Sequence, residues 1–430
     1  TLKIYIHTLG CKVNQYESQA IEAILKSKGH ELCSKDDDFD AFIVNTCAVT
    51  AESGRKSRQI IRQLKASHPD AICAVCGCYS QISPQDVEDI GADVLFGSGD
   101  RLSFIQALIS AYEKKTTAVS IDEPLKRRVF EVLPAGNIGT RTRATLKIED
   151  GCSNFCSYCI IPYARGPVRS LPLEEIKSQA ESLYAGGYKE IIITGIEIAS
   201  YGKDLKDGET LSDAISAIAQ AAPGVRLHLG SLEVRCITEE LVSTLASLGT
   251  VCPHFHLSLQ SGCDETLRRM NRKYGTDRFY EATVLLRKYF PDCSITADLI
   301  TGFPGETQEE FEKTLEFIQK CRFSYIHVFP YSVRPGTVAA KMDGQVPNSV
   351  KHERAKTVSE ICEKMHRQYL EMWMDKTLSV LFETESDGIS LGHSENYLPV
   401  MAKGKGLHNI VKTVKITGVD GDRLTGLILN

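Results

Sequence analysis

The chain has 430 residues, 42% of them hydrophobic and 24% charged, and a formal net charge of −5. That composition is ordinary for a folded globular protein and excludes a globally basic nucleic-acid binder, though not a local basic patch. The length favours two or three domains. No apolar run approaches the roughly 20 residues that span a bilayer, and the opening TLKIYIHTLGC reads as a strand without the basic start of a signal peptide. The expected compartment is the cytoplasm, where thiols stay reduced. Fifteen cysteines then point to core filling and metal binding rather than to disulfides.

In chain order, short β-branched runs alternate with helical patterns, the mark of α/β architecture. Strands are predicted at KIYIH, AFIVN, AICAV and DVLFG, with helices near Glu17–Lys26, Glu52–Lys65 and Leu102–Tyr112. Residues 1–115 form a first domain. Thr116–Asn137, charged and without period, reads as a linker. From residue 138 to 370 the alternation resumes with six strands, TLKIE, EIIIT, RLHLGS, HFHLSL, SITADLI and YIHVFP. Thr307 and Glu310 fit a capping box, and Gly186-Gly187 closes the preceding helix. Six βα units make an incomplete version of the eight-unit barrel.

A long helix near Ser349–Met374 leads to residues 371–430, where TLSVLFETE, YLPVMAK and TVKITGVDGDRLTGLIL alternate at period two around D-G turns. That pattern predicts a small closed β-barrel. Charge is uneven. Lys126, Arg127, Arg128, Arg141, Arg143, Lys147, Arg165 and Arg169 face only three acids across their stretch, and Lys403, Lys405, Lys412 and Lys415 fall in a stretch free of Asp and Glu.

The cysteines carry the chemistry. Cys11, Cys47 and Cys78 each stand just beyond a predicted strand of one parallel sheet, where strand ends share an edge and ligands bind. Such a convergent set is a metal or cluster candidate. Cys73 and Cys76 form a C-x-x-C pair, but they occupy strand positions and read as core. Cys152, Cys156 and Cys159 follow the first strand of the second domain with C-x3-C-x2-C spacing and no fourth cysteine until Cys236. A [4Fe–4S] cube held by three thiolates keeps one iron open, which suits chemistry on a bound small molecule better than electron carriage.

CSNFCSYC, with Tyr158 before the last cysteine, resembles the motif of the radical S-adenosylmethionine enzymes. PYARGPVRSLP, TGIEIASYG, HLSLQSGCDETLRRMNRKY, TADLITGFPGET and FPYSVRPGTVAAKM extend that resemblance to the methylthiotransferase branch over the whole chain. The resemblance implies an N-terminal parallel-sheet domain, a central partial (β/α)6 TIM-like radical barrel, and a terminal β-barrel similar to the RNA-binding TRAM domain. It implies two [4Fe–4S] clusters, with Cys152, Cys156 and Cys159 holding the radical one and Cys11, Cys47 and Cys78 an auxiliary one. S-adenosylmethionine on the open iron would yield the radical.

By the same carry-over, Tyr158, Thr194, Gly195, Glu197, Ser258, Gln260, Asp298 and Gly302 bind the cofactor, although Gly302 also suits a turn before the Thr307 cap. Arg165, Arg169 and Arg334 would neutralise substrate phosphates or the cofactor carboxylate, with Lys403 and Lys405 on RNA. Arg268 and Arg272, spaced i,i+4, read as a solvated helix face. TLGCKVNQYES resembles the branch that modifies threonylcarbamoyladenosine in the tRNA anticodon loop. The other branches act on isopentenyladenosine or a ribosomal-protein aspartate. Expected partners are tRNA, an electron donor such as flavodoxin or ferredoxin, and a sulfur donor, with no membrane. From a different class, the alternative is a non-catalytic iron–sulfur RNA-binding protein or electron carrier.

Overall fold

A computed structural model describes residues 1–135 and 142–429 of the chain. Arg141, and the expected boundary between residues 137 and 138, lie outside the described residues.

The N-terminal sheet is parallel throughout. Its strands are β1 (Lys3–Thr8), β2 (Glu31–Leu32), β3 (Ala41–Thr46), β4 (Ile72–Gly77), β5 (Val94–Phe96) and β6 (Ala118–Ser120), in the order β2-β1-β3-β4-β5-β6. The two central strands, β3 and β4, read as near-continuous apolar runs because both faces are covered. The four predicted strands are present. Sequence reading missed β2 and β6, edge strands too short to show a period. The β6 strand corrects the expected linker, since Ala118 to Ser120 pair with Val94 to Phe96 and continue the sheet.

The central domain begins with β7 (Arg143–Lys147). A small antiparallel pair, β8 (Glu149–Asp150) and β9 (Arg169–Ser170), brackets the three-cysteine loop. Then come β10 (Glu190–Thr194), β11 (Arg226–Leu229), β12 (His254–Gln260), β13 (Ser294–Thr301) and β14 (Tyr325–Pro330). They pair in parallel as β7-β10-β11 and β12-β13-β14, and bridges Leu227–Val251 and Leu232–Leu257 join the halves into an open barrel. Alternate residues such as Leu146, Ile191, Leu227, Phe255, Leu257, Ile295 and Leu299 pack outward in the main core. Helix ends follow the predicted chemistry. Thr307 and Glu310 form the capping box, and Gly187 adopts φ +80 just after helix Leu173–Ala185.

Helix Asn348–Glu371 leads to a closed barrel of β15 (Thr377–Ser386), β16 (Ile389–Ser394), β17 (Pro399–Lys403), β18 (Ile410–Asp420) and β19 (Arg423–Ile428), in the order β15-β16-β17-β19-β18. The strand β16, missed in sequence, follows a two-residue hairpin in which Asp387 and Gly388 both take positive φ, 52° and 75°. This barrel docks at the amino ends of the central strands. Arg226 Nη2 donates to Ser379 Oγ at 2.8 Å, and Arg143 pairs with Glu383. Tyr397 stacks on His254 with ring centroids 5.1 Å apart.

Candidate metal centres and cofactor pocket

The first three-cysteine set lies on the carboxyl edge of the N-terminal sheet. Cys11 is the N-cap of helix Lys12–Ser27, Cys47 follows β3, and Cys78 opens the short helix Cys78–Ile82. Glycine is required between these loops because they touch. At Gly10, φ +95, a Cβ would lie 2.7 Å from Cys47 Sγ; at Gly77, φ +111, it would lie 2.5 Å from the Thr46 carbonyl oxygen. Asn14 fastens two of the loops, donating from Nδ2 to Leu9 O at 2.8 Å and Thr46 O at 2.9 Å. Burial pushes the Cys78 thiol up to about 11, with Arg165 opposing and Cys11 and Cys47 adding to the rise. Cys73 and Cys76 are fully buried in β4, as their core reading required.

The second set follows β8. Gly151, φ +86, lets the loop pass the Pro167 carbonyl, which a Cβ would meet at 2.0 Å. Cys152 N–H donates to Gly166 O, and Cys159 N–H to Cys156 O, both at 2.9 Å. Burial raises the thiol of Cys159 to about 12, with Cys156 adding to the rise and Arg272 opposing it. Arg272 Nη1 donates to Cys156 Sγ at 3.1 Å. This corrects the helix-face reading of Arg272, whereas Arg268 stays on the exposed face of helix Asp264–Arg269. The helix ends at Arg269, and Asn271 at φ +59 turns the chain so that Arg272 points to the cysteines.

Both sets suit clusters. Three soft thiols converge in each, a guanidinium donates to one sulfur of each, and iron would displace the protons that burial retains. Neither set packs its three sulfurs as closely as the ligands of a single ion. Among the described residues, Glu190, His228 and Cys252 do lie that close. However, Arg226 lies 3.7 Å from Glu190, so the carboxylate already has its cation.

Most of the expected cofactor residues lie at or near the carboxyl ends of the barrel strands, and Tyr158 lies in the three-cysteine loop. Thr194 ends β10. A Cβ on Gly195 would lie 2.7 Å from Glu149 Oε2, and the same oxygen accepts the Glu197 N–H at 2.7 Å. Burial raises Glu197 to about 7, with Arg272 holding it down. Ser258 shares a hydroxyl contact with Ser231 at 3.0 Å, Gln260 adopts φ +67, and Asp298 lies 3.2 Å from His256 Nε2. Tyr158 packs edge-on to Phe303. Gly302 directly follows β13. Its N–H donates to Glu306 at 2.9 Å, and its open face is filled by Lys351, so the turn and the packing account for it. Glu149, fully buried with Oε1 unpartnered, was not singled out in the sequence; its place shortly before Cys152 would have been the only signal.

The arginines need a second correction. Arg165 and Arg169, expected to meet phosphate or the cofactor carboxylate, are 0% and 3% exposed. Arg165 donates to Glu17, to Asn14 Oδ1 at 2.8 Å and to Cys78 Sγ at 3.1 Å. Arg169 donates to the Arg165 and Pro167 carbonyls. Together with Lys147, Asp150 and Arg101 they form a buried ionic network between the two cysteine sets. Sequence reading missed Glu17 because it lies in a helix whose period looks amphipathic. Arg334 stays near the first set, where the Cys47 and Tyr79 side chains act on its charge. Lys403 and Lys405 are exposed on the C-terminal barrel.

The model of the radical SAM superfamily matches residues 146–318, and that of uncharacterized protein family UPF0004 matches residues 3–97. The threonylcarbamoyladenosine tRNA methylthiotransferase MtaB of Bacillus subtilis is 39% identical over 93% of this chain and 90% of its own. The chain belongs to the radical SAM tRNA methylthiotransferase family. As a radical SAM methylthiotransferase it is an enzyme, and a transferase. Within this family it is also 38% identical to MtaB of Thermotoga maritima, over 92% of this chain and 90% of that one. It is 32% identical to the tRNA-2-methylthio-N(6)-dimethylallyladenosine synthase of Acetivibrio thermocellus, over 97% and 90%. Among solved structures, the radical S-adenosylmethionine methyltransferase TsrM of Kitasatospora setae shares the fold, with a TM-score of 0.58 at 16% identity over 79% of this chain and 77% of that one. Among the described residues no helix is long and apolar enough to cross a membrane.

Proposed function

We propose that this methylthiotransferase inserts a methylthio group at carbon-2 of threonylcarbamoyladenosine in the anticodon loop of tRNA. The observation that carries the reading is the pair of three-thiol sets, one per α/β domain, joined by a single buried ionic network. In this reading Cys152, Cys156 and Cys159 hold the radical [4Fe–4S] cluster, and Cys11, Cys47 and Cys78 hold an auxiliary one. With S-adenosylmethionine, the groups supply a carbon-centred radical and a methylated sulfur. An aromatic C–H bond resists acid–base chemistry, which is why a radical source is needed.

The chain's own residues bind and orient. Glu197 receives the cofactor's ammonium group, with Gly195 giving it room, and Asp298 and Ser258 reach the nucleoside. The buried network keeps water from the space between the two sets. Lys403 and Lys405 contact the RNA backbone, whose affinity is salt-dependent. An external low-potential electron donor such as flavodoxin or ferredoxin, and a sulfur donor, complete the cycle in the cytoplasm.

Nucleoside analysis of tRNA from cells lacking the gene tests the substrate. Loss of the methylthio form of threonylcarbamoyladenosine supports the reading, whereas loss of methylthio-isopentenyladenosine assigns the other tRNA branch. For the chemistry, anaerobically reconstituted protein should hold about eight irons per chain and release 5′-deoxyadenosine with dithionite. Retention of that product after joint replacement of Cys152, Cys156 and Cys159 would exclude radical chemistry at this loop.

A further inference from the structure

We infer that Arg165, carried by the central domain, completes the auxiliary cluster site of the N-terminal domain and raises that cluster's reduction potential. The inference rests on the two-cluster reading above. Its subject is one side chain with three attachments. Nε donates to Cys78 Sγ at 3.1 Å, Nη2 donates to Asn14 Oδ1 at 2.8 Å, and the same guanidinium pairs with Glu17. Asn14 in turn holds the carbonyls of Leu9 and Thr46, which lie two residues and one residue before Cys11 and Cys47. Through one direct and two relayed contacts, Arg165 therefore governs all three cysteine loops.

The electrostatics give this placement a consequence. A cube held by three thiolates is anionic, and each added electron makes it more so. An N–H donated to a cluster sulfur stabilises the reduced, more negative form and raises the potential. Arg165 is wholly buried, so solvent screens its charge little. Glu17 and Asp150 share that charge, and Arg101, Lys147 and Arg169 help balance those two acids. Arg165 thus retains positive charge for the sulfur. The radical-cluster loop has a separate counterpart, Arg272 on Cys156 at 3.1 Å. Each set has its own arginine, so each potential is adjustable independently. Arg165 is a positioning residue that acts through Cys78 and the loops, with no contact to substrate required.

The test is an EPR-monitored redox titration of the full chain with Cys152, Cys156 and Cys159 replaced by Ala, which isolates the auxiliary site. Arg165→Lys keeps a charge for Glu17 but removes the Nε donor. The expected result is about four irons per chain and a lower midpoint, read as a roughly tenfold smaller reduced-to-oxidised ratio at fixed potential. In the otherwise unaltered chain, Arg272→Lys should leave the auxiliary midpoint in place and shift the other. An unchanged auxiliary midpoint in Arg165→Lys with full iron overturns the inference. If Arg165→Lys does not load, the chain with native Arg165 decides, carrying 15N-arginine and Arg334→Lys. A 15N coupling on the reduced auxiliary signal upholds the contact, and its absence overturns it. If no cluster loads on Cys11, Cys47 and Cys78 even with Arg165 present, the two-cluster reading falls and takes this inference with it.

Discussion

Replacing Glu17 by Gln should cost this protein much of its stability at the boundary between the first two domains. The carboxylate is 1% exposed and faces three cations: Arg101 at 2.7 Å, Lys147 at 3.2 Å and Arg165. Burial alone would raise its pKa, yet Arg101, Arg165 and Lys147 hold it well below the ordinary carboxylate range. Gln keeps the volume but removes the negative charge and turns an N–H₂ group towards a guanidinium. Asp150 is then the main anion left for Lys147, Arg165 and Arg169. Breaking a buried pair of this kind costs roughly 3–5 kcal/mol. For units of this size each kcal/mol shifts Tm by about 2–4 °C, so the first unfolding transition should fall by roughly 6–20 °C. Anaerobic scanning calorimetry measures it, and Glu17→Asp should recover part of the loss. A shift under about 2 °C in Glu17→Gln would show that the network contributes little and would refute the reasoning.

Gly77→Ala should remove about four of the eight irons that the proposed pair of clusters would hold, because the Cβ meets the Thr46 carbonyl at φ +111; iron analysis with 5′-deoxyadenosine formation retained is the expected combination. Tyr397→Ala should loosen the C-terminal barrel from the central domain by removing stacks on His254 and His393, each worth about 0.5–1.5 kcal/mol. Limited proteolysis near residues 371–376 should quicken while iron content holds. Stability should also fall as pH drops below 6.5, the unfolded value for histidine. Burial lowers the pKa of both His228 and His254, with their neighbours His256, Lys12 and Arg143 adding to it and Glu190 opposing at His228. The unfolded chain then binds protons that the native one refuses, at about 1.4 kcal/mol per pH unit for each. His254→Gln should flatten that slope by about one such proton, and parallel slopes would exclude the assignment.

Much of the architecture was legible because parallel strands announce themselves. AFIVN and EIIIT are buried on both faces, and all six strands of the open barrel were readable. The edge strands Glu31–Leu32 and Ala118–Ser120 were not, being too short for periodicity to show. The cysteine sets were legible from strand ends and spacing, and Cys73 and Cys76 were separable from Cys78 by their positions within the strand. What escaped was longer in range. Nothing local tells that Glu17 and Arg165, 148 residues apart, share one buried site. Nor does i,i+4 spacing show that a left-handed Asn271 ends the helix and turns Arg272 onto Cys156. The polar interior of the barrel was visible in HFHLSLQ, whose alternate residues His254, His256 and Ser258 face inward, but alternation in a parallel strand reads first as an exposed face.

The contact between Arg165 and Cys78 also bears on the order in which the protein is built. Synthesis proceeds from the N-terminus, and domains fold largely as they emerge. The first domain has its three cysteines by residue 78, but the arginine that fastens their loops comes 87 positions later. Until the central domain has been made and docked, Asn14 lacks its anchor and Cys78 its hydrogen bond. Iron delivered to a chain made only as far as its first domain would therefore meet an unfinished receptor, although all three cysteines of that set are already present.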